Sequence, residues 1–121
     1  LPKDPDVLNS LAWLYYETGD KRALATAEQA YDAAPSNPLI LDTLGWILLE
    51  NKTTTARGLK LLRAAFARAS RNTTIRYHLA TALAQAGRKD EALDHLNELI
   101  KSRLKDKNIE NAKKLRASLL K

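Results

Sequence analysis

Residues 37–49 read NPLILDTLGWILL, and this stretch decides the fold. Asn37 can cap a helix that begins at Pro38, because a proline at the first helical position gives up no hydrogen bond. From Leu41 onward, apolar residues recur at intervals of three and four, the period of a helix with one buried face. Gly45 lies inside this helix, where glycine costs about 1 kcal/mol relative to alanine. We therefore expect a second helix to approach closely at Gly45.

The same arrangement recurs on both sides of this stretch. Asp4-Pro5 precedes Asn37-Pro38 and Asn72-Thr73 follows it, each at a spacing of about 34 residues. Each start leads into a helical apolar pattern, then a polar break, then a second amphipathic stretch. These second stretches are Ala23 to Ala34, Ala56 to Ala69 and Glu91 to Ser102. The sequence therefore predicts a helix–turn–helix unit that is repeated three times.

The last residues predict a capping helix over about 108–120, after a polar stretch from Arg103 to Lys107. Its apolar residues fall on one stripe: Ile109, Ala112, Leu115, Leu119 and Leu120. Basic residues occupy the other side of this helix. We expect the apolar stripe to close the end of the repeat array.

The three units resemble the tetratricopeptide repeat (TPR), whose pattern is W-x2-L-G-x2-Y, then A-x3-F, then P over about 34 residues. No unit has the tryptophan at its first position, but a small residue is kept at Ala12, Gly45 and Ala80. The other matches in the first unit are Leu8, Leu11, Tyr15, Ala23, Ala27, Ala30 and Pro35. The resemblance implies an all-α, right-handed TPR superhelix in a single domain, residues 1–121, with repeats at about 5–36, 38–71 and 73–102.

A longer match is carried by four runs: LAWLY at 11–15, LDTLGWIL at 41–48, IRYHLA at 75–80 and AGRKDEA at 86–92. They resemble the C-terminal region of the TPR lipoproteins of bacterial PEP-CTERM/exosortase systems. This resemblance implies a protein of the bacterial cell envelope, on the periplasmic side, anchored by lipid at a distant N-terminus. It also implies an association with exopolysaccharide and protein sorting.

The chain is expected to be a fragment of a longer array, with residues 1–4 as the remnant of a preceding repeat. Pro2 precedes Pro35 by the same period that separates Asp4-Pro5 from Asn37-Pro38. A lost neighbour would leave the outer face of the first helix unusually apolar.

Composition narrows the function classes. The chain has 121 residues, of which 45% are hydrophobic, and a mean hydropathy of -0.40, as in soluble globular domains. Its apolar runs fall far short of the roughly 20 residues of a membrane-spanning helix. There is no cysteine, and we expect His78 and His95 to be surface or partly buried side chains rather than metal ligands. We predict no enzyme activity, no cofactor and no metal site.

The net charge of +6 comes entirely from residues 101–121, since residues 1–100 balance. Within the balanced part, however, 1–50 carry 3 basic and 8 acidic side chains, whereas 51–89 carry 9 basic and none acidic. The second helix of repeat two holds Arg57, Lys60, Arg63 and Arg68. We expect these on the convex side as a solvated cationic face; the alternative is an anionic partner such as acidic polysaccharide or phospholipid head groups. The aromatic residues fall on the opposite side, so no nucleic-acid binding is predicted.

The candidate partner-binding face lies on the first helix of each repeat, rotated away from the core positions. Family resemblance assigns this face to the concave groove. Trp13 and Trp46 are one repeat period apart and occupy the same slot in adjacent repeats, and Tyr77 extends the row. The candidate residues are Asn9, Trp13, Tyr16, Asp42, Trp46, Leu49, Tyr77, His78 and Thr81. The structural alternative is that the tryptophans seal the contact between successive first helices.

The sequence thus predicts a monomeric, non-enzymatic protein–protein interaction scaffold that binds an extended protein or peptide in its groove. The alternative function is a polysaccharide-binding module of an exopolysaccharide export apparatus, because stacked aromatic rings also suit sugar rings.

Overall fold

A computed structural model describes residues 4–102 and 105–121, and these ranges form seven α-helices without a strand. The helices are α1 (Pro5–Glu17), α2 (Ala23–Ala33), α3 (Pro38–Leu48), α4 (Thr55–Arg68), α5 (Thr73–Gln85), α6 (Lys89–Lys101) and α7 (Lys107–Leu119). The predicted all-α class is therefore confirmed. The predicted second helices and the capping helix begin and end within two residues of the observed bounds.

The predicted caps start the first helix of each repeat. The Asp4 carboxylate accepts from the backbone N–H of Asp6 at 2.8 Å, and Asn37 Oδ1 accepts from that of Leu39 at 3.0 Å. In the third repeat, Asn72 Oδ1 accepts from Ile75 N–H at 3.0 Å. These bonds satisfy N–H groups that have no partner within the helix, so each start is fixed by local sequence.

The helices pack as consecutive pairs, α1 with α2, α3 with α4 and α5 with α6, and α7 closes the array against α5 and α6. The first helices also contact one another, α1 with α3 and α3 with α5. One surface is consequently built from α1, α3, α5 and α7 in that order. In the described ranges, no helix combines the length and apolar character needed to cross a lipid bilayer.

Helices α3 and α4 approach each other closely at two glycines. A Cβ atom placed on Gly45 would lie 2.8 Å from Leu62 Cγ, and one placed on Gly58 would lie 2.8 Å from the Gly45 carbonyl oxygen. Both distances are too short for a real contact. The expectation that a helix packs closely at Gly45 is confirmed, and the partner residue is a second glycine.

The outer face of α1 carries large exposed apolar side chains. Val7 is 49% exposed and Leu14 is 54% exposed. One repeat later the equivalent residues, Ile40 and Ile47, are 1% and 8% exposed. The apolar surface expected of a truncated array is therefore present, whereas residues 1–3 lie outside the described residues. That a preceding repeat once covered this surface stays a prediction.

The predicted stripe of the capping helix is correct except at its end. Ile109 and Ala112 are buried, and Leu115 and Leu119 are half-buried. The prediction for Leu120 is wrong: it is 62% exposed because α7 ends at Leu119 and Leu120 is its C-terminal cap. Arg103, in the polar stretch before the helix, lies outside the described residues.

The basic residues of α4 are solvent-exposed or half-buried, as expected of a solvated face, and three of the four are also bonded to neighbouring repeats. Arg57 donates two hydrogen bonds of 2.8 Å to Glu28 on α2. Arg63 donates two, of 2.6 and 2.9 Å, to Glu91 on α6, and Arg68 donates to the Ser36 carbonyl at 3.1 Å. These arginines therefore link consecutive helix pairs, a role that the sequence did not predict.

Candidate partner-binding groove

A groove of about 610 Å³ lies on the surface that α1, α3, α5 and the start of α7 build together. Most of the predicted groove residues line it: Asn9, Trp13, Tyr16, Asp42, Trp46, Tyr77 and His78. Glu17, expected as a charge at the rim, also lines it, and the lining residues that were not predicted are Leu39, Thr43, Thr74, Lys107, Asn108 and Asn111. The repeat period therefore brings together side chains that are far apart along the chain.

Five rings form a continuous aromatic row along the groove. The Trp13 ring lies 5.3 Å from Tyr16 and 6.2 Å from His78, centroid to centroid. The His78 imidazole stacks on Trp46 at 3.9 Å with an interplanar angle of 20°, and Trp46 lies 6.4 Å from Tyr77. The row predicted from Trp13, Trp46 and Tyr77 is thus joined in the middle by a histidine.

His78 is held in place by a buried carboxylate. Its Nδ1 lies 2.7 Å from Asp42 Oδ1, and His78 itself is only 5% exposed. The expectation of a surface or partly buried histidine is therefore wrong, because α3 and α5 enclose the ring. An imidazole that carries a proton on Nδ1 donates it to this carboxylate, so each side chain fixes the orientation of the other.

Sequence reasoning missed this pair because the two residues are far apart along the chain. A signal was available. Asp42 is the fifth residue of α3 and His78 the sixth of α5, and both positions face the groove in adjacent repeats. Residues at nearly the same position of successive first helices are brought side by side by the repeat.

Two polar groups at the α1 end of the groove have unusual surroundings. Burial raises the pKa of the Tyr16 hydroxyl, and the charge of Glu50 raises it further, against a hydrogen bond with Trp46 that lowers it. The phenol therefore stays neutral at physiological pH. Asn9 Oδ1 is buried, and no donor among the described residues reaches it. An unpaired buried acceptor is costly to the folded state.

Two of the predicted groove residues do not line the groove. Leu49, the C-terminal cap of α3, is buried in the core cluster that contains Leu62 and Leu83. Thr81 is half-buried, and its hydroxyl donates to the Tyr77 carbonyl one turn earlier at 3.0 Å. Conversely, Lys107, Asn108 and Asn111 were missed because the capping helix was expected only to cover the array.

His95 lies outside the groove, between α5 and α6. Arg76 Nε donates to its Nδ1 at 3.2 Å, and Phe66 packs edge-on against the ring at 5.0 Å. Burial lowers the pKa of His95, and the charge of Arg76 lowers it further. The described residues include no group of three or more His, Cys, Asp or Glu side chains that could hold a metal ion.

Paired helices that recur about every 34 residues, with a groove along the first helix of each pair, define a helical repeat protein. The family model described as tetratricopeptide repeat matches residues 1–112. The chain belongs to the tetratricopeptide repeat family. Members of this family are typically non-enzymatic and generally mediate protein–protein interaction. No curated protein is significantly similar to the chain.

Proposed function

We propose that this chain is a protein-interaction scaffold that binds an extended peptide segment in its groove. The aromatic row supplies the main anchor, and the polar side chains around it orient the segment. The observation that carries the proposal is the row itself, in which Tyr16, Trp13, His78, Trp46 and Tyr77 line one groove. Aromatic side chains desolvated in a groove are the residues that most often dominate binding energy.

The two tryptophans differ in how much the fold needs them. Both are half-buried, but Trp46 packs on the core cluster around Leu62 and Leu79, whereas the ring contacts of Trp13 are with Tyr16 and His78. Because α1 has a complete core face in Leu8 and Ala12, the ring of Trp13 is available to a partner. The structural alternative, in which the tryptophans fill the contact between successive first helices, explains part of the role of Trp46. It explains little of the role of Trp13.

The proposal places the scaffold in a bacterial envelope system that serves exopolysaccharide and protein sorting. Its support is the resemblance of the runs at 11–15, 41–48, 75–80 and 86–92 to TPR lipoproteins of PEP-CTERM/exosortase systems. The proposal includes the repeat division at about 5–36, 38–71 and 73–102, the role as part of a longer array, and a monomeric state.

The test selects groove-binding peptides from a random display library on the wild-type chain, then measures their affinity by titration calorimetry. Trp13→Ala is expected to weaken a selected peptide by about thirtyfold, the equivalent of about 2 kcal/mol. The same substitution should lower the free energy of unfolding by less than the roughly 3 to 5 kcal/mol typical of a core tryptophan. Trp46→Ala should weaken binding and also cost stability.

Tyr31→Ala is the matched control, because Tyr31 is a half-buried aromatic on α2 that packs on the core and does not line the groove. It should reduce stability and leave peptide affinity unchanged. Trp13→Ala could instead weaken binding only in proportion to its loss of stability, and Tyr31→Ala would then do the same. This result would contradict the proposal that Trp13 anchors a peptide in the groove.

A polysaccharide is the second candidate, favoured by the uncharged amides of Asn9, Asn108 and Asn111 beside the rings. Stacked rings with neutral hydrogen-bonding groups suit sugars as well as peptides. A glycan array with the wild-type chain and Trp13→Ala distinguishes the two. The peptide proposal would be replaced by the polysaccharide proposal if a glycan binds saturably, if Trp13→Ala abolishes that binding, and if the selected peptides do not compete with the glycan.

A further inference from the structure

We propose that the α1–α3 end of the groove receives a cationic side chain of the bound segment, best an arginine, stacked on the tryptophan rings. This inference rests on the proposed function, since it names the chemistry of the residue that the aromatic row anchors. Three observations carry it: the charge of this end, the rings, and the kind of hydrogen-bonding groups present.

The groove is acidic at one end. Neither α1 nor α3 contains a lysine or arginine, and two acids line the groove, Glu17 and the His78-bonded Asp42. Arg76, the basic residue of α5, is bonded to His95 on α6 and lies over the Phe66 ring. Lys107 lines the groove from α7, which packs against α5 and α6. The charge therefore changes sign along the groove, and a cation is favoured at the α1–α3 end.

Aromatic faces surround that acidic end. Trp13 and Tyr16 come from α1, and Trp46 comes from α3 with the His78 imidazole on one of its faces. Tryptophan is the strongest ring partner of a cation, and arginine is the cation most often found over it. The chain already uses this contact elsewhere, where the Arg22 guanidinium lies 4.3 Å from the centre of the Tyr15 ring.

This end of the groove also contains carboxylate acceptors. Glu17 presents one carboxylate, and Asp42 presents a second one whose Oδ1 is bonded to His78. A guanidinium group offers five N–H donors and no acceptor, so it suits a carboxylate such as that of Glu17. A carboxylate or phosphate at this end would instead lie near the carboxylates of Glu17 and Asp42.

The test compares two pentapeptides that differ only in charge, acetyl-Ala-Ala-Arg-Ala-Ala-amide and the same peptide with citrulline, the neutral isostere of arginine. Both tryptophans of the chain line the groove, so tryptophan fluorescence reports on this site. The arginine peptide should bind at least about fivefold more tightly than the citrulline peptide at low salt. Added salt should reduce the difference.

Glu17→Gln should weaken the arginine peptide about threefold and leave the citrulline peptide unchanged. Glu98→Gln is the matched control, because Glu98 is an exposed acid on α6 that does not line the groove, and it should change neither affinity. Equal affinity for both peptides overturns the inference and leaves the proposed function standing. No saturable signal from either peptide, while display-selected peptides bind and depend on Trp13, also overturns the inference alone. If the selected peptides bind without depending on Trp13, both proposals fall.

Discussion

The first helices of repeats one and two use the same positions in opposite ways. Val7 and Leu14 on α1 are about half exposed, whereas Ile40 and Ile47, one repeat period later on α3, are buried. The side chains are of the same kind and the helices have the same period. What differs is the neighbour, since α2 packs against α3 and nothing described packs on the outer face of α1.

This comparison shows that burial in the array is a property of the contact between repeats. Each first helix presents one apolar face to its own second helix and another to the preceding repeat. The contact with the second helix forms within one repeat, whereas the contact with the preceding repeat needs a neighbour. The stability of a given residue therefore depends on its place in the array, and substitutions at equivalent positions should have different effects.

The largest difference is expected between Ile40→Ala and Val7→Ala. Ile40 is 1% exposed, so truncation removes buried methyl groups, leaves a cavity and should cost about 2 to 5 kcal/mol. Val7→Ala removes exposed methyl groups and should stay within about 0.5 kcal/mol. Urea unfolding at equal protein concentration measures both. A Val7→Ala cost equal to that of Ile40→Ala would mean that the face of α1 is covered in solution, which concentration-dependent unfolding would reveal as self-association.

Local signals in the sequence were sufficient for the helices themselves. The caps at Asp4, Asn37 and Asn72 and the apolar period determine where each first helix begins and which face it buries. The exposed end at Leu120 was not predictable from the stripe alone, because the stripe continues past the point where α7 ends. The bonds of Arg57 and Arg63 were missed because they join helices of different repeats that are distant along the chain.

The next largest effect on stability is expected at the central helix pair, α3 and α4, which differs from the other two pairs in its crossing residues. At the α3–α4 crossing both residues are glycine, whereas the equivalent positions are Ala12 with Ala23 in repeat one and Ala80 with Ala92 in repeat three. Gly58→Ala gains about 1 kcal/mol of helix propensity. Its Cβ would lie 2.8 Å from the Gly45 carbonyl oxygen, a backbone atom that moves only with its helix. Overpacking of this kind costs about 1 to 3 kcal/mol, so a net loss of up to about 2 kcal/mol is expected.

Gly45→Ala provides the comparison within the same crossing. The nearest atom there is Leu62 Cγ at 2.8 Å, which belongs to a side chain, and the Gly58 carbonyl oxygen lies farther away at 3.1 Å. Because Leu62 is fully buried and cannot move aside freely, thermal unfolding should show a loss for Gly45→Ala similar to that for Gly58→Ala. A gain in melting temperature from Gly58→Ala would mean that the two helices can separate at little cost.

The groove was less accessible to sequence reasoning than the fold. The shared slot of Trp13 and Trp46 follows from the repeat period, so the aromatic row could be expected. The Asp42–His78 pair could not be ranked above many other polar pairs, because its proximity depends on how α3 and α5 pack. The contribution of Lys107 and Asn111 required knowing that α7 folds beside α5 and extends the groove.

The smallest effect concerns the two contacts between second helices, of which one includes a histidine. The contact between α2 and α4 is made by the Arg57–Glu28 ion pair. The contact between α4 and α6 has the Arg63–Glu91 ion pair and, in addition, His95, which packs on Phe66 and accepts a hydrogen bond from Arg76 of α5. Burial and then the charge of Arg76 lower the pKa of His95 from its ordinary 6.5. The neutral ring accepts the Arg76 hydrogen bond at Nδ1, which a protonated ring could not do. Folding therefore favours the neutral form.

The sign of the pH dependence follows from this lowered pKa. The contribution of His95 to stability is complete above the unfolded value of 6.5 and is lost as the pH falls through the lower folded value. The ring is partly exposed, and Glu91 and Asp94 oppose the shift, so the loss should be less than about 1 kcal/mol. His95→Gln cannot titrate in this range. The measurement is the difference in unfolding free energy between the wild-type chain and His95→Gln at pH 7.5 and at pH 5. Taking this difference cancels the effect of the other titrating groups. The difference should be smaller at pH 5 than at pH 7.5. If the unfolding free energies of the wild-type chain and His95→Gln change with pH in parallel, the imidazole of His95 is solvated in the folded state. The two contacts between second helices would then have the same pH dependence.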